Sequence, residues 1–265
     1  MSMSYKNENN IVNLIKRESL QKIEDMSGNL YDAFNYIIPR DETQKIIRPC
    51  IIGIDGPVTA GKTCSAYALK DIVEKTGRPF HTIHCDWFMS SRSARAREII
   101  EAQKSGYSFE DYRYLACDFR RIKELVLLLR QFLLNDGDGH DFTYTIRPAY
   151  DRETGECNRI IHGVVAANSV ILVEGGGLLN EELFTLFDLA IRLDVSSTEE
   201  TLNRLRDREK QKADRSLDLS FMTERYFLLD LPFDNYLRIH DSSYFDILID
   251  TTKMNDIKLF KRSEK

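Results

Sequence analysis

Apolar and polar positions along the chain change rhythm near residue 50. Before it, Ile11, Leu14, Ile15, Leu20, Ile23, Leu30 and Phe34 recur at helical spacing, which predicts two short helices separated near Gly28 and closed by Pro39. Residues 1–45 therefore read as an N-terminal helical extension ahead of the main fold. After residue 50, "CIIGID" is a short apolar, β-branched run of the kind that forms a strand buried on both faces. "KTCSAYALKDIVEKTG", from residue 62, has helical periodicity and a stop at Gly77, and "PFHTIHC" reads as a second strand. Residues 118–134 form a strongly amphipathic helical pattern. "SVILVEGG" and "FDLAIRLDV" are two further buried strands, and "YFDILIDTT" is the last. Between them "STEETLNRLRDRE" opens with a Ser/Thr cap and an acidic first turn, then continues as a basic helix. Strands alternating with helices predict an α/β fold, a parallel sheet flanked by helices on both faces. Residues 46–256 form one such domain in this reading, with 257–265 as a C-terminal tail.

Composition narrows the class. The chain has 265 residues, 42% of them hydrophobic, enough for a substantial core. A formal charge of -5 without a basic block argues against a nucleic-acid partner. Cys50, Cys64, Cys85, Cys117 and Cys157 show no paired spacing and read as reduced thiols. "MSMSYKNENN" has no apolar core for a secretory signal, and "ELVLLLRQFLL" is too short and too interrupted by Arg130 to span a bilayer. The expectation is a soluble, cytoplasmic chain acting on a small molecule, with no membrane partner. The pattern is compatible with a homo-oligomer.

The chemistry begins at "GPVTAGKT", residues 56–63. Gly56, Gly61, Lys62 and Thr63 match G-x-x-x-x-G-K-[ST] in full. Glycines let such a loop curl with its N–H groups inward around a phosphate, and the following helix N-terminus adds partial positive charge. Lysine reaches the β- and γ-phosphates, and the hydroxyl completes a Mg²⁺ site. The strand before and the helix after are both predicted. Gly56, Pro57, Val58, Thr59, Ala60, Gly61, Lys62, Thr63 and Cys64 are thus expected to hold ATP. A GTPase would carry a late guanine reader, but Thr252-Lys253-Met254-Asn255 lacks its Asp, and no transporter signature is present. Asp86 and Glu174 instead end predicted strands, where open parallel sheets face their ligand. Two carboxylates there suit a metal ligand and a base for a hydroxyl proton.

"GIDGPVTAGKT", "CDWF", "SFEDYRYLACDFRRIKELVLLL", "PAYDRETG", "ILVEGGGLL" and "FDLAIRLDVSSTEETLNRLRDRE" occur in this order over about residues 48–252. Together they resemble the uridine kinase and phosphoribulokinase family of P-loop kinases. The resemblance implies Asp86 as the base toward the acceptor hydroxyl, with Lys62 as its catalytic partner. It implies Thr63, Glu174 and Asp86 around Mg²⁺, and Tyr150 and Asp151 as the substrate hairpin's "YD". Arg204, Arg206 and Arg208 on the lid stem, with Arg215 beyond the lid turn, would close over the phosphoryl group. Glu110 stands where uridine kinases carry an Asp on the ribose, and Asp118 falls later than its family counterpart. Gly155 and Cys157 stand where a His and an Arg read the pyrimidine, and "KADR" replaces the usual lid E-R-G-R. These departures spare phosphoryl transfer and strike substrate reading.

The implied activity is transfer of the ATP γ-phosphoryl group to a hydroxyl of a nucleoside or sugar-like molecule. Two alternatives stay open: a nucleoside monophosphate kinase, because the loop is also similar to that of cytidylate kinases, and a non-catalytic nucleotide-binding module. Arg92, Arg95 and Arg97 read either as a solvated helix start or as an anion contact. His81, His84 and Cys85 are expected to pack rather than share a metal, because strand positions three apart face opposite sides.

Overall fold

Ile51, Ile52 and Ile54 are fully buried, yet they point to opposite sides of their strand. Ile51 joins one core with Ile83, Ile171 and Val173, and Ile52 and Ile54 join a second with Leu172, Ile191 and Leu193. Hydrophobic runs without alternation therefore do build a sheet covered on both faces, as parallel sheets require. The computed structural model describes residues 20–26, 29–97, 108–135, 140–210 and 219–262.

The sheet contains seven strands: β1 (Leu20–Met26), β2 (Ile51–Asp55), β3 (Phe80–His84), β6 (Val170–Glu174), β7 (Leu189–Asp194), β8 (Ile247–Asp250) and β9 (Ile257–Arg262). Their order is β1-β9-β8-β7-β2-β6-β3. The five strands from β8 to β3 are parallel, and β9 runs antiparallel to β8. A separate hairpin pairs β4 (Phe142–Ala149) with β5 (Arg159–Val165). Helices α1 (Leu30–Ile37) and α2 (Lys62–Glu74) cover one face, with Phe34, Leu69 and Val73 in its core. Helix α4 (Phe119–Leu134) covers the other through Ile122, Val126 and Leu129. Helix α3 (Phe109–Ala116) precedes it. Beyond β7 come α5 (Thr198–Lys210), α6 (Leu219–Arg225), a π-type turn at Tyr226–Asp230, and α7 (Leu231–His240).

Three sequence expectations change. Leu20–Met26 is a strand, not part of a helix, because the open edge of β9 offers it a backbone ladder that local periodicity does not register. The supposed tail supplies that edge, with β9 in register against β8. Helix α1 is no appendage either. Asn29 caps it through a box with Asp32, and Ala33 and Phe34 are fully buried against the main core.

Charge also enters the core. Arg192, in the middle of β7, bonds Asp55 at 3.5 Å and Asp234 of α7 at 3.0 Å. Arg238 continues the chain to Asp234 at 2.8 Å and to Asp194 at 2.7 Å. Burial pushes the Asp194 carboxyl up to about 6 despite the adjacent Arg238. Removing one partner from such a buried set leaves charge without compensation. Arg192→Met is expected to cost about 3–5 kcal/mol in urea unfolding, because Asp234 and Asp55 stay buried. Lys70→Met, which removes an exposed pair with Glu74, should change stability by no more than about 0.5 kcal/mol.

Candidate active site

The loop after β2 folds onto itself. Gly56 approaches β7 so closely that an added Cβ would lie 2.7 Å from the Leu193 carbonyl oxygen. Gly61 caps α2 from the left-handed region, at φ 99°, with no side-chain cap. The first turn of α2 carries no acidic residue. Its N–H groups are thus left to an incoming anion. The Lys62 ammonium donates to the carbonyls of Gly56 (2.7 Å) and Pro57 (2.9 Å), holding its charge above the loop. Asp55 braces the loop from behind. It accepts from the N–H groups of Gly56 (2.6 Å), Gly177 (2.9 Å) and Leu179 (3.2 Å).

A cavity of about 750 Å³ opens from this loop. Gly56, Pro57, Val58, Thr59, Gly61, Lys62, Thr63 and Cys64 line it, whereas Ala60 is fully buried behind them. Asp86, Glu174, Tyr150, Arg204 and Arg208 line it as well. The short turn Cys85–Phe88 exposes the Asp86 carboxylate, which accepts no hydrogen bond among the described residues. Glu174, at the end of β6, is largely buried and bonded to His84 Nδ1 at 2.5 Å. This corrects the expectation of mere packing for His84, which faces the cavity and meets Trp87 edge-on. His81 instead pairs with the Tyr144 hydroxyl at 2.8 Å, and Cys85 is buried against Gly175.

Other expected residues lie elsewhere. Glu110 is exposed on α3 and is not part of the cavity wall, to which Tyr112 and Arg113 of that helix contribute. Asp151 turns onto the N–H of Glu153 at 2.9 Å, outside the wall. Asp118 caps α4 through the N–H of Arg121 at 3.2 Å. Arg206 faces away and bonds Asn203. Arg204 ties α5 to the loop and to the end of β8 through the carbonyls of Thr59 and Thr251, at 3.4 and 2.6 Å. Arg215 and the rest of "KADR" lie outside the described residues. Arg95 turns inward, donating to the Tyr150 hydroxyl at 3.0 Å while stacking on its ring, whereas Arg92 is exposed and lies against Gly155. Arg97 is exposed.

Sequence reasoning missed Asp55, His84, Arg152, Arg159 and α7. An acid directly before Gly56 and an Arg inside an otherwise apolar strand were the available signals for the first. The hairpin arginines carried none.

The residues present fit a Mg·nucleotide. Thr59 Oγ1 is buried with no hydrogen-bond partner among the described residues, beside an uncapped helix end. Thr63, Asp86 and Glu174 offer oxygen donors suited to a hard cation. Among the described residues no group of three or more His, Cys, Asp or Glu could hold a metal by itself. A cation here would need oxygens from the phosphates too.

A parallel sheet with this phosphate loop at the carboxyl end of its central strand defines a P-loop kinase fold. The chain belongs to the Phosphoribulokinase / Uridine kinase family, whose model matches residues 51–258. It is thus a small-molecule kinase of that type. Solved structures share the fold. A candidate fructose transport system kinase from Silicibacter sp. TM1040 is 18% identical, with a TM-score of 0.55 over 82% of this chain and 95% of that one. D-glycerate 3-kinase from Cryptococcus neoformans var. grubii is 13% identical, with a TM-score of 0.51 over 86% and 94%. No curated protein matches the sequence. Among the described residues no helix is long and apolar enough to cross a membrane.

The loop geometry sets a stability test. Gly56→Ala is expected to cost about 1–3 kcal/mol through the Leu193 carbonyl, lowering Tm by several degrees in a thermal melt. Gly77→Ala, where an added Cβ meets nothing within 4 Å, isolates the smaller cost of a positive φ alone.

Proposed function

We propose that the chain is an ATP-dependent kinase that transfers the γ-phosphoryl group to a hydroxyl of a nucleoside or sugar-like small molecule. The observation that carries this reading is the free Asp86 carboxylate in the same cavity as the phosphate loop and Lys62. A pure nucleotide binder needs no such base, and an acceptor that is itself a phosphate needs none either.

The phosphate loop binds the β- and γ-phosphates through its N–H groups and through Lys62, which must leave the Gly56 and Pro57 carbonyls to reach them. Asp86 takes the acceptor's hydroxyl proton as that oxygen bonds to the γ-phosphorus and the bond to the β–γ bridging oxygen breaks. ADP leaves, and the proton remains on Asp86 until solvent removes it. Bound Mg²⁺ would neutralise phosphate charge, with Thr63, Glu174 and Asp86 as its protein donors. His84 holds the Glu174 carboxylate in one orientation. Arg208 of the lid stem supplies positive charge over the transferring group. Water competes as acceptor, so the cavity has to close before transfer.

ADP release by the purified chain with Mg·ATP, against nucleosides, their monophosphates and sugar alcohols, tests the reading. Asp86→Asn is expected to lower kcat by about 10²–10⁴-fold while ATP affinity by calorimetry stays within about twofold. Lys62→Ala should weaken ATP binding as well. Full turnover in Asp86→Asn, or ATP binding with no acceptor-dependent release across the panel, sinks the proposal.

A further inference from the structure

Most charges around the cavity are already paired. Lys62 sits on loop carbonyls, Glu174 on His84, and Arg113 on the buried Asp241. Asp230 pairs with Arg225 at 3.4 Å, and Asp234 with Arg192 and Arg238. Arg204 pairs with Glu200 at 2.7 Å. Three side chains in the wall have no such partner among the described residues: the Asp86 carboxylate and the guanidinium groups of Arg152 and Arg159.

The two arginines sit on the frame that carries Asp86. Arg159 opens β5 opposite Ala149, and Tyr150, next to Ala149, donates its N–H to the Trp87 carbonyl at 3.0 Å. Trp87 directly follows Asp86. The frame is tied together elsewhere too. Arg92 donates its N–H to the Gly155 carbonyl at 2.7 Å and its guanidinium to the Arg152 carbonyl at 3.2 Å. Cys157 bonds the Met89 carbonyl at 3.3 Å, and Arg95 braces Tyr150. Arg92 and Arg95 thus brace the scaffold, while Arg152 and Arg159, both exposed, line the cavity at its edge. A guanidinium fork matches the oxygens of a carboxylate or a phosphate.

We propose that the acceptor carries an anionic group, held by Arg152 and Arg159, while its hydroxyl lies against Asp86. This rests on the kinase reading above. A neutral acceptor would leave both arginines without a role and lose the charge-assisted bonds that orient its hydroxyl.

Matched pairs test it: ribose 5-phosphate against ribose, and glycerate against glycerol, with the full chain and Mg·ATP. An anionic member is expected to give kcat/KM at least about tenfold above its neutral partner. Arg152→Gln combined with Arg159→Gln should raise KM for that anion by about tenfold or more and leave KM for ATP unchanged. Which pair responds separates phosphate from carboxylate. Equal turnover of the neutral partners, or an unchanged KM in the double variant, overturns the proposal while leaving the kinase reading intact. Calorimetry with the same four compounds on ADP-saturated protein, where the phosphate loop is filled, separates the two readings. Anion binding lost in the double variant but accompanied by no ADP release upholds the subsite and overturns the kinase reading. No binding of either anion overturns the subsite.

Discussion

Asp55 is the residue on which the site depends. It ends the central strand, and its two oxygens collect the N–H of Gly56, the N–H groups of Gly177 and Leu179, and the guanidinium of Arg192. The entry of the phosphate loop, the turn after β6 and the strand β7 are thereby fixed to one buried carboxylate. A charge so deep in the protein would be costly alone, and its stability comes from complete hydrogen bonding. Phosphate binding needs loop N–H groups already pointing inward. Asp55 holds the loop's first one from behind, so the others are presented to the cavity without having to be rearranged.

What could be read from the sequence was local, or repeated along the chain. "GPVTAGKT" between a strand and a helix describes a self-contained turn, and its residues, Ala60 excepted, line one cavity. The continuous apolar runs at 51–55, 170–174 and 189–194 have no alternation because both sheet faces are covered. What escaped were partners distant in sequence. Leu20–Met26 has helical spacing but pairs with residues more than 230 positions away, where ladder formation outweighs periodicity. Arg192 went unread within its apolar strand, and its role rests on Asp234, which α7 places against it. His84 looked like packing until β6 brought Glu174 beside it in register. Glu110 and Asp151 were assigned by position within motifs, and a helical turn or a loop bend directs each away from the cavity.

The arginines around the cavity fall into two groups that composition cannot separate. Arg113 in the wall, and Arg192 and Arg238 behind it, are almost wholly buried and pair with aspartates. Arg152 and Arg159 are exposed, line the cavity and pair with no carboxylate among the described residues. Burial and pairing, rather than the number of basic residues, mark which of them are available to a ligand.

Asp234 belongs both to the cavity wall and to the buried chain of charges that starts at Asp55. Swinging α7 inward would pull that carboxylate away from Arg192 and Arg238, at a cost of several kcal/mol on each opening and closing. The wall is therefore divided. Helix α7 behaves as a fixed jamb, and Arg204 ties α5 to the phosphate loop and the end of β8. Helix α6 instead adjoins the π-type turn at Tyr226–Asp230, the kind of backbone irregularity at which a helix can bend. Evolution of a new acceptor in this scaffold would then proceed most easily by changing the hairpin and the swinging side, with the jamb and the loop behind it left untouched.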